Sequence, residues 1–154
     1  MRLFWITLIV VAFGVVTAVP LSLAQPTCAP TRADSEGPFY KPNAPERSSI
    51  GSGLVVHGVV RSAKSCVPIP GARIEWWQAN RSGEYDEAHR AVMRSDDSGS
   101  YKLQTDFPGV YPGRPPHLHV KVFATGHRSL TTQLYPKPGQ AELKFDLVLV
   151  PSSP

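Results

Sequence analysis

Ala72-Arg73-Ile74-Glu75-Trp76-Trp77-Gln78 alternates between apolar and polar positions over its first half. Successive side chains of a strand point to opposite faces, so Ile74 and Trp76 share one face while Arg73, Glu75 and Trp77 share the other. Comparable segments lie on both sides of this one. Leu54 to Val60 is rich in β-branched residues, and Ser100 to Thr105 alternates through Tyr101 and Leu103. His117 to Phe123, Leu130 to Tyr135 and Leu143 to Val150 complete the set. Pro70-Gly71, Asp97-Ser98-Gly99, Pro108-Gly109 and Pro138-Gly139 supply the turns between them. A 3.6-residue period is confined to a short helical turn expected near Asp86 to Met93. The pattern predicts an all-β fold: over residues 54–154, a single-domain β-sandwich of about six to eight mostly antiparallel strands.

Residues 25–53 are rich in Pro, Ser, Gly and charge, with one compact apolar cluster, Gly37-Pro38-Phe39-Tyr40. This composition predicts an irregular N-terminal arm wrapped over the domain surface. Further upstream, Arg2 precedes an almost wholly apolar run from Leu3 to Val19, followed by Ser22-Leu23-Ala24. A positive start, an apolar stretch and a small-residue exit describe a signal peptide over residues 1–24, and hence a secreted or periplasmic protein. The alternative is a membrane anchor through residues 3–19. No later segment is apolar for long enough to span a bilayer, so the mature form is expected to have no membrane partner.

Cleavage after Ala24 leaves 130 of the 154 residues, enough for one modest core. Loss of Arg2 takes the formal charge from +4 to +3. Basic and acidic residues are interspersed, which describes a solvated surface and argues against a nucleic-acid partner. Cys28 and Cys66 are the two cysteines. In an exported chain they are expected to pair, stabilising the fold by roughly 3–4 kcal/mol. In an anchored or cytosolic protein they would be free thiols.

The chemistry concentrates in Tyr111-Pro112-Gly113-Arg114-Pro115-Pro116-His117-Leu118-His119. His117 and His119 are two apart on an expected strand, so both imidazoles face one side and can converge on one ion. Imidazole alone suits zinc, copper, iron or nickel. The two prolines stiffen the approach, and Pro116 biases the backbone toward extended geometry. Arg114 lies close to whatever such a metal binds and can stabilise negative charge there.

These residues, with others in the same order, resemble the intradiol ring-cleavage dioxygenases. The matching pieces are Glu36-Gly37-Pro38-Phe39-Tyr40, Pro68-Ile69-Pro70-Gly71-Ala72 and Glu75-Trp76-Trp77-Gln78-Ala79-Asn80. They continue through Gly83-Glu84-Tyr85, Asp97 to Tyr101, Pro108 to His119 and Leu130 to Tyr135. The resemblance implies a ferric iron held by Tyr85, Tyr111, His117 and His119, with Tyr111 displaceable by substrate. It implies that Arg114 stabilises charge on the bound substrate and that Gln133 lines the same pocket. The implied reaction cleaves a small aromatic diol with O2 between its two hydroxyl-bearing carbons. Phenolates are hard anionic donors that suit Fe(3+), and a strongly charged cation lowers a tyrosine pKa from near 10.

The connection between Tyr111 and His117 is only residues 112–116, which predicts a shallow, open site. A homodimer is compatible with the resemblance. Val59 to Tyr101 also resembles transthyretin-like and carboxypeptidase-regulatory-like binding modules, which would give the sandwich a non-catalytic role. A third reading places copper or zinc on His117 and His119.

Overall fold

The computed structural model describes residues 28–153. The segment read as a signal peptide, residues 1–24, lies outside the described residues. Among the described residues nine strands form two sheets. The first sheet runs β1 (Ser49–Ile50), β5 (Ser100–Thr105), β2 (Leu54–Ser62) and β8 (Glu142–Lys144), and β9 (Leu147–Leu149) also pairs β2. The second runs β4 (Tyr85–Arg94), β3 (Arg73–Ala79), β6 (Leu118–Phe123) and β7 (Leu130–Leu134). The four pairings β2–β5, β3–β4, β3–β6 and β6–β7 are antiparallel, and β1, β8 and β9 join by parallel pairings. Among the described residues no helix is long and apolar enough to cross a membrane.

Alternation builds the core. Leu54, Val56, Val60 and Leu103 from the first sheet meet Ile74, Trp76, Val120, Val122 and Leu134 from the second. Each such side chain, fully buried, contributes roughly 1.5–3 kcal/mol. Gln78 is a polar exception on this inner side. Its side-chain oxygen accepts from Thr105 Oγ1 at 2.8 Å across the two sheets, so its burial leaves that oxygen satisfied.

The second sheet is unusual in being covered on its outer face as well. From Ile74 to Ala79 every residue of β3 is buried. Ile74 and Trp76 belong to the core cluster, while Glu75 and Trp77 lie outside it, beneath the N-terminal arm. Tyr40 donates to Glu75 at 2.8 Å, Lys121 pairs with Glu36 at 2.6 Å, and Arg90 donates to the Phe39 carbonyl at 2.8 Å. The arm also contains β1 and a bridge between Glu46 and Val92, so it is more regular than its composition suggests. Cys28 and Cys66 form a disulfide with Cα atoms 5.2 Å apart, tying the start of the arm to the turn after β2.

Two local expectations need correction. Asp86 to Met93 is not a helical turn but part of β4. The β3–β4 register shifts between Trp77 and Ala79, so β4 carries extra residues there. Asp86 accepts from the His89 amide at 2.9 Å inside that bulge, a local turn contact whose spacing imitates a helix. The expected single strand from Leu143 to Val150 is two short strands, with Phe145 and Asp146 between them. There the Phe145 carbonyl accepts from Tyr101 Oη at 2.5 Å, and Asp146 accepts from the Val59 amide at 3.0 Å.

Candidate metal centre

His119 lies on the outer face of β6, and His117 immediately precedes that strand. Their Nε2 atoms are 3.0 Å apart. Tyr85, at the start of β4, brings its hydroxyl to 3.1 Å from each of them. His117 Nδ1 is 2.8 Å from the Pro115 carbonyl. That oxygen can only accept, which places the proton on Nδ1 and leaves the Nε2 lone pair facing the other two groups. The phenol and the second imidazole can pair at most two of the three contacts, and His119 Nδ1, buried, has no hydrogen-bond partner among the described residues.

A cation held by these three atoms would resolve the shortage of protons. Two ligands about 2.1 Å from one ion and at right angles to each other stand about 3 Å apart, the separation found here. The residues present therefore fit a metal. Among the described residues no cluster of three or more His, Cys, Asp or Glu side chains could hold one, so this site depends on its tyrosine.

The electrostatics agree with that assignment. Burial lowers the His119 pKa to about 4, assisted by the adjacent His117, so the ring stays neutral and available as a ligand. Burial also raises the Tyr85 phenol above its ordinary value, with the Arg114 charge opposing it. In the protein alone Tyr85 is thus a neutral phenol, and a cation in the triangle favours its anion. Trp77 stacks on His119 with centroids 4.8 Å apart and planes 8° from parallel, fixing the ring plane.

Two turns set the phenols side by side. Asn80 accepts from the amides of Ser82 and Glu84, shaping the turn that delivers Tyr85. Gly83 in that turn has φ +85°, and any Cβ there would collide with the Val110 carbonyl. The loop carrying Tyr111 consequently rests on the turn carrying Tyr85, and their rings meet edge to face at 5.8 Å. Tyr111 is thus adjacent to the triangle through its ring.

Gln133 lies opposite His119 in the β6–β7 register. Its side-chain oxygen accepts from Arg114 Nη2 at 2.7 Å, and its amide donates to the Ser35 carbonyl at 2.5 Å. Arg114 also donates to Tyr135 Oη at 3.2 Å, and Tyr135 Oη lies 3.0 Å from an Asp34 carboxylate oxygen. The site therefore has an Arg114–Gln133 edge beside the donor triangle. His117 and His119 are buried, while Tyr85, Tyr111 and Arg114 are partly exposed, so the centre opens toward solvent on the phenol side.

Sequence reasoning missed three neighbours of the site: Phe39 as a contact of both phenols, and Tyr135 and Asp34 beside Arg114. The only signal was the apolar cluster at Gly37–Tyr40, isolated in a polar arm. Tyr40 anchors the arm through Glu75. The other histidines are occupied elsewhere: His57 with Glu142, His89 with Asp86 and Asp106, and His127 with the Thr125 carbonyl.

Residues 26–150 match a family model described as Dioxygenase. A catechol 1,2-dioxygenase of Acinetobacter baylyi is 33% identical over 64% of this chain and 44% of its own length. An intradiol ring-cleavage dioxygenase of Aspergillus niger is 30% identical over 70% of this chain and 46% of its own. The dioxygenase domain of a dioxygenase carbohydrate-binding protein fusion from Streptomyces sp. SirexAA-E superposes with a TM-score of 0.73 at 34% identity, covering 80% of this chain and 100% of that one. The chain belongs to the intradiol ring-cleavage dioxygenase family. It spans about half the length of the curated relatives it matches.

Proposed function

We propose that this chain is an exported ferric dioxygenase that cleaves a catechol-type ring between its two hydroxyl-bearing carbons. The observation that carries this reading is the triangle of Tyr85 Oη, His117 Nε2 and His119 Nε2, with edges of 3.0–3.1 Å, beside the Arg114–Gln133 pair. Tyr85, His117 and His119 would hold Fe(3+), with Tyr111 as the fourth protein ligand. Ferric iron held by these residues would supply Lewis acidity toward the oxygens of a catechol.

The chain's own groups do the rest. Tyr111, on a partly exposed loop, would give way to an incoming hydroxyl and take its proton. The Pro115 carbonyl fixes His117, and Trp77 fixes His119, whose ring burial keeps neutral. Arg114 offers a positive charge to oxyanionic substrate, with its guanidinium oriented by Gln133. Both atoms of O2 enter the product, a muconic-acid-type diacid, so no external reductant is required.

Protein reconstituted with ferric iron should show a visible tyrosinate charge-transfer band that moves on addition of catechol. It should then consume O2 and catechol in equal amounts. Colourless protein after reconstitution would overturn the reading. Export is checked by the intact mass of secreted protein, which should begin at Gln25. Full-length chain confined to the membrane fraction would support the anchor instead.

A further inference from the structure

The arm's apolar cluster lies against the metal centre. Phe39 stacks face to face on Tyr85, with centroids 4.2 Å apart and planes 13° from parallel. The same ring meets Tyr111 nearly edge-on, at 5.3 Å and 79°. Gly37, at φ +69°, passes so close to His119 that a Cβ would stand 3.2 Å from its Cε1. Tyr40 meets Trp77 edge-on at 5.2 Å, and Trp77 stacks on His119. One short segment therefore touches two of the proposed ligands through Phe39, a third through Gly37, and the latter's stacking partner through Tyr40.

Phe39 is itself held from below. Arg90 Nη2 donates to its carbonyl at 2.8 Å, and Arg90 is only 3% exposed. Arginine is almost never buried to that degree without a partner. Its Nε lies 3.5 Å from Glu87 and has no hydrogen-bond partner among the described residues. The short contact of this buried guanidinium is thus the Phe39 backbone. On the outside, Arg47 grips β4 through the carbonyls of Arg90 and Glu87 at 2.8 and 2.7 Å, fixing a later part of the arm.

We infer that Phe39 is a positioning residue for both phenols, clamped by Arg90, and that residues 37–40 form a structural wall of the metal centre. The argument is geometric. A tyrosine hydroxyl moves when the side chain rotates about its Cα–Cβ bond, and a second ring stacked along its face blocks that rotation. Phe39 faces Tyr85 and stands nearly perpendicular to Tyr111, so it restricts both rings with one side chain. Pre-set ligands hold a metal more tenaciously than ligands that must first be ordered. Its consequence for metal retention rests on the ferric reading above, whereas the placement of the phenols does not.

The test uses Phe39→Leu, Phe39→Tyr and Arg90→Lys in otherwise intact protein. In metal-free protein with 13C-labelled tyrosine, assigned with Tyr85→Phe, the Tyr85 ring signals should carry an upfield ring-current shift. Phe39→Leu should abolish that shift and Phe39→Tyr should keep it. After ferric loading, a chelator should strip iron from Phe39→Leu at least tenfold faster than from wild type, with Phe39→Tyr within about threefold of wild type. Unchanged Tyr85 signals in Phe39→Leu, or stripping within twofold of wild type, would overturn the inference. Should Phe39→Leu fail to fold, Arg90→Lys, which keeps the ring but loosens its carbonyl, is read by the same two criteria. If wild type takes up no ferric iron, the functional proposal falls, and the metal-free signals alone decide whether Phe39 positions the phenols.

Discussion

Arg114 is a full charge whose side-chain partners, Gln133 and Tyr135, are both neutral. Its positive charge is oriented without being cancelled by a directly bonded carboxylate. Replacement by Met should therefore lower kcat/KM for catechol by about 10²–10³-fold, the effect of losing one preorganised charge-stabilising donor, while leaving the iron band in place. Loss of the band would instead make Arg114 part of metal retention. At this scale much was legible in the sequence. His117 and His119 could be placed on one side because strand alternation is local geometry. Arg114 could be placed beside them because it lies in the same short segment, whereas Tyr85, Tyr111 and Gln133 were reached only by resemblance, since they come from separate turns, loops and strands. Phe39 escaped because stacking depends on where the arm runs, and nothing local to residues 37–40 encodes a contact with β4.

Among elements, the Asn80–Tyr85 turn and the loop ending at Tyr111 behave as one unit because Gly83 lets them touch. Gly83→Ala would add strain at a positive φ and a collision with the Val110 carbonyl. It should cost about 1–3 kcal/mol in thermal or urea unfolding and weaken catechol binding by shifting Tyr111. A variant with native stability and native affinity would show that the two turns are not coupled. Strand existence was readable wherever apolar residues alternated, as in β3, β5 and β6. The bulge in β4 was not, because a turn closed by Asp86 and His89 has the same local spacing as a helical turn. The break between β8 and β9 was equally hidden: Leu143 to Val150 reads as one apolar run, and only tertiary contacts at Phe145 and Asp146 divide it.

On the scale of the molecule, the outer face of the second sheet is covered over β3 by a segment tied down by the Cys28–Cys66 disulfide. Cys28→Ser/Cys66→Ser should lose about 3–4 kcal/mol in urea unfolding, by release of chain entropy in the unfolded state. A loss below about 1 kcal/mol would mean that the arm's own hydrogen bonds hold it without the crosslink. The fold class was legible from the spacing of strands and turns, but that third layer was not, since composition alone could only say that the arm lies on the surface. Its ties reach far along the chain. Glu36 pairs with Lys121 across 85 positions, and the Arg32 carbonyl accepts from Thr132 across 100. Contacts of such separation require large loop closures, and chains dominated by them fold slowly. The arm can therefore make these ties only after β6 and β7 have been synthesised, so the wall that Phe39 forms against Tyr85 and Tyr111 joins the beginning of the described chain to strands far along it.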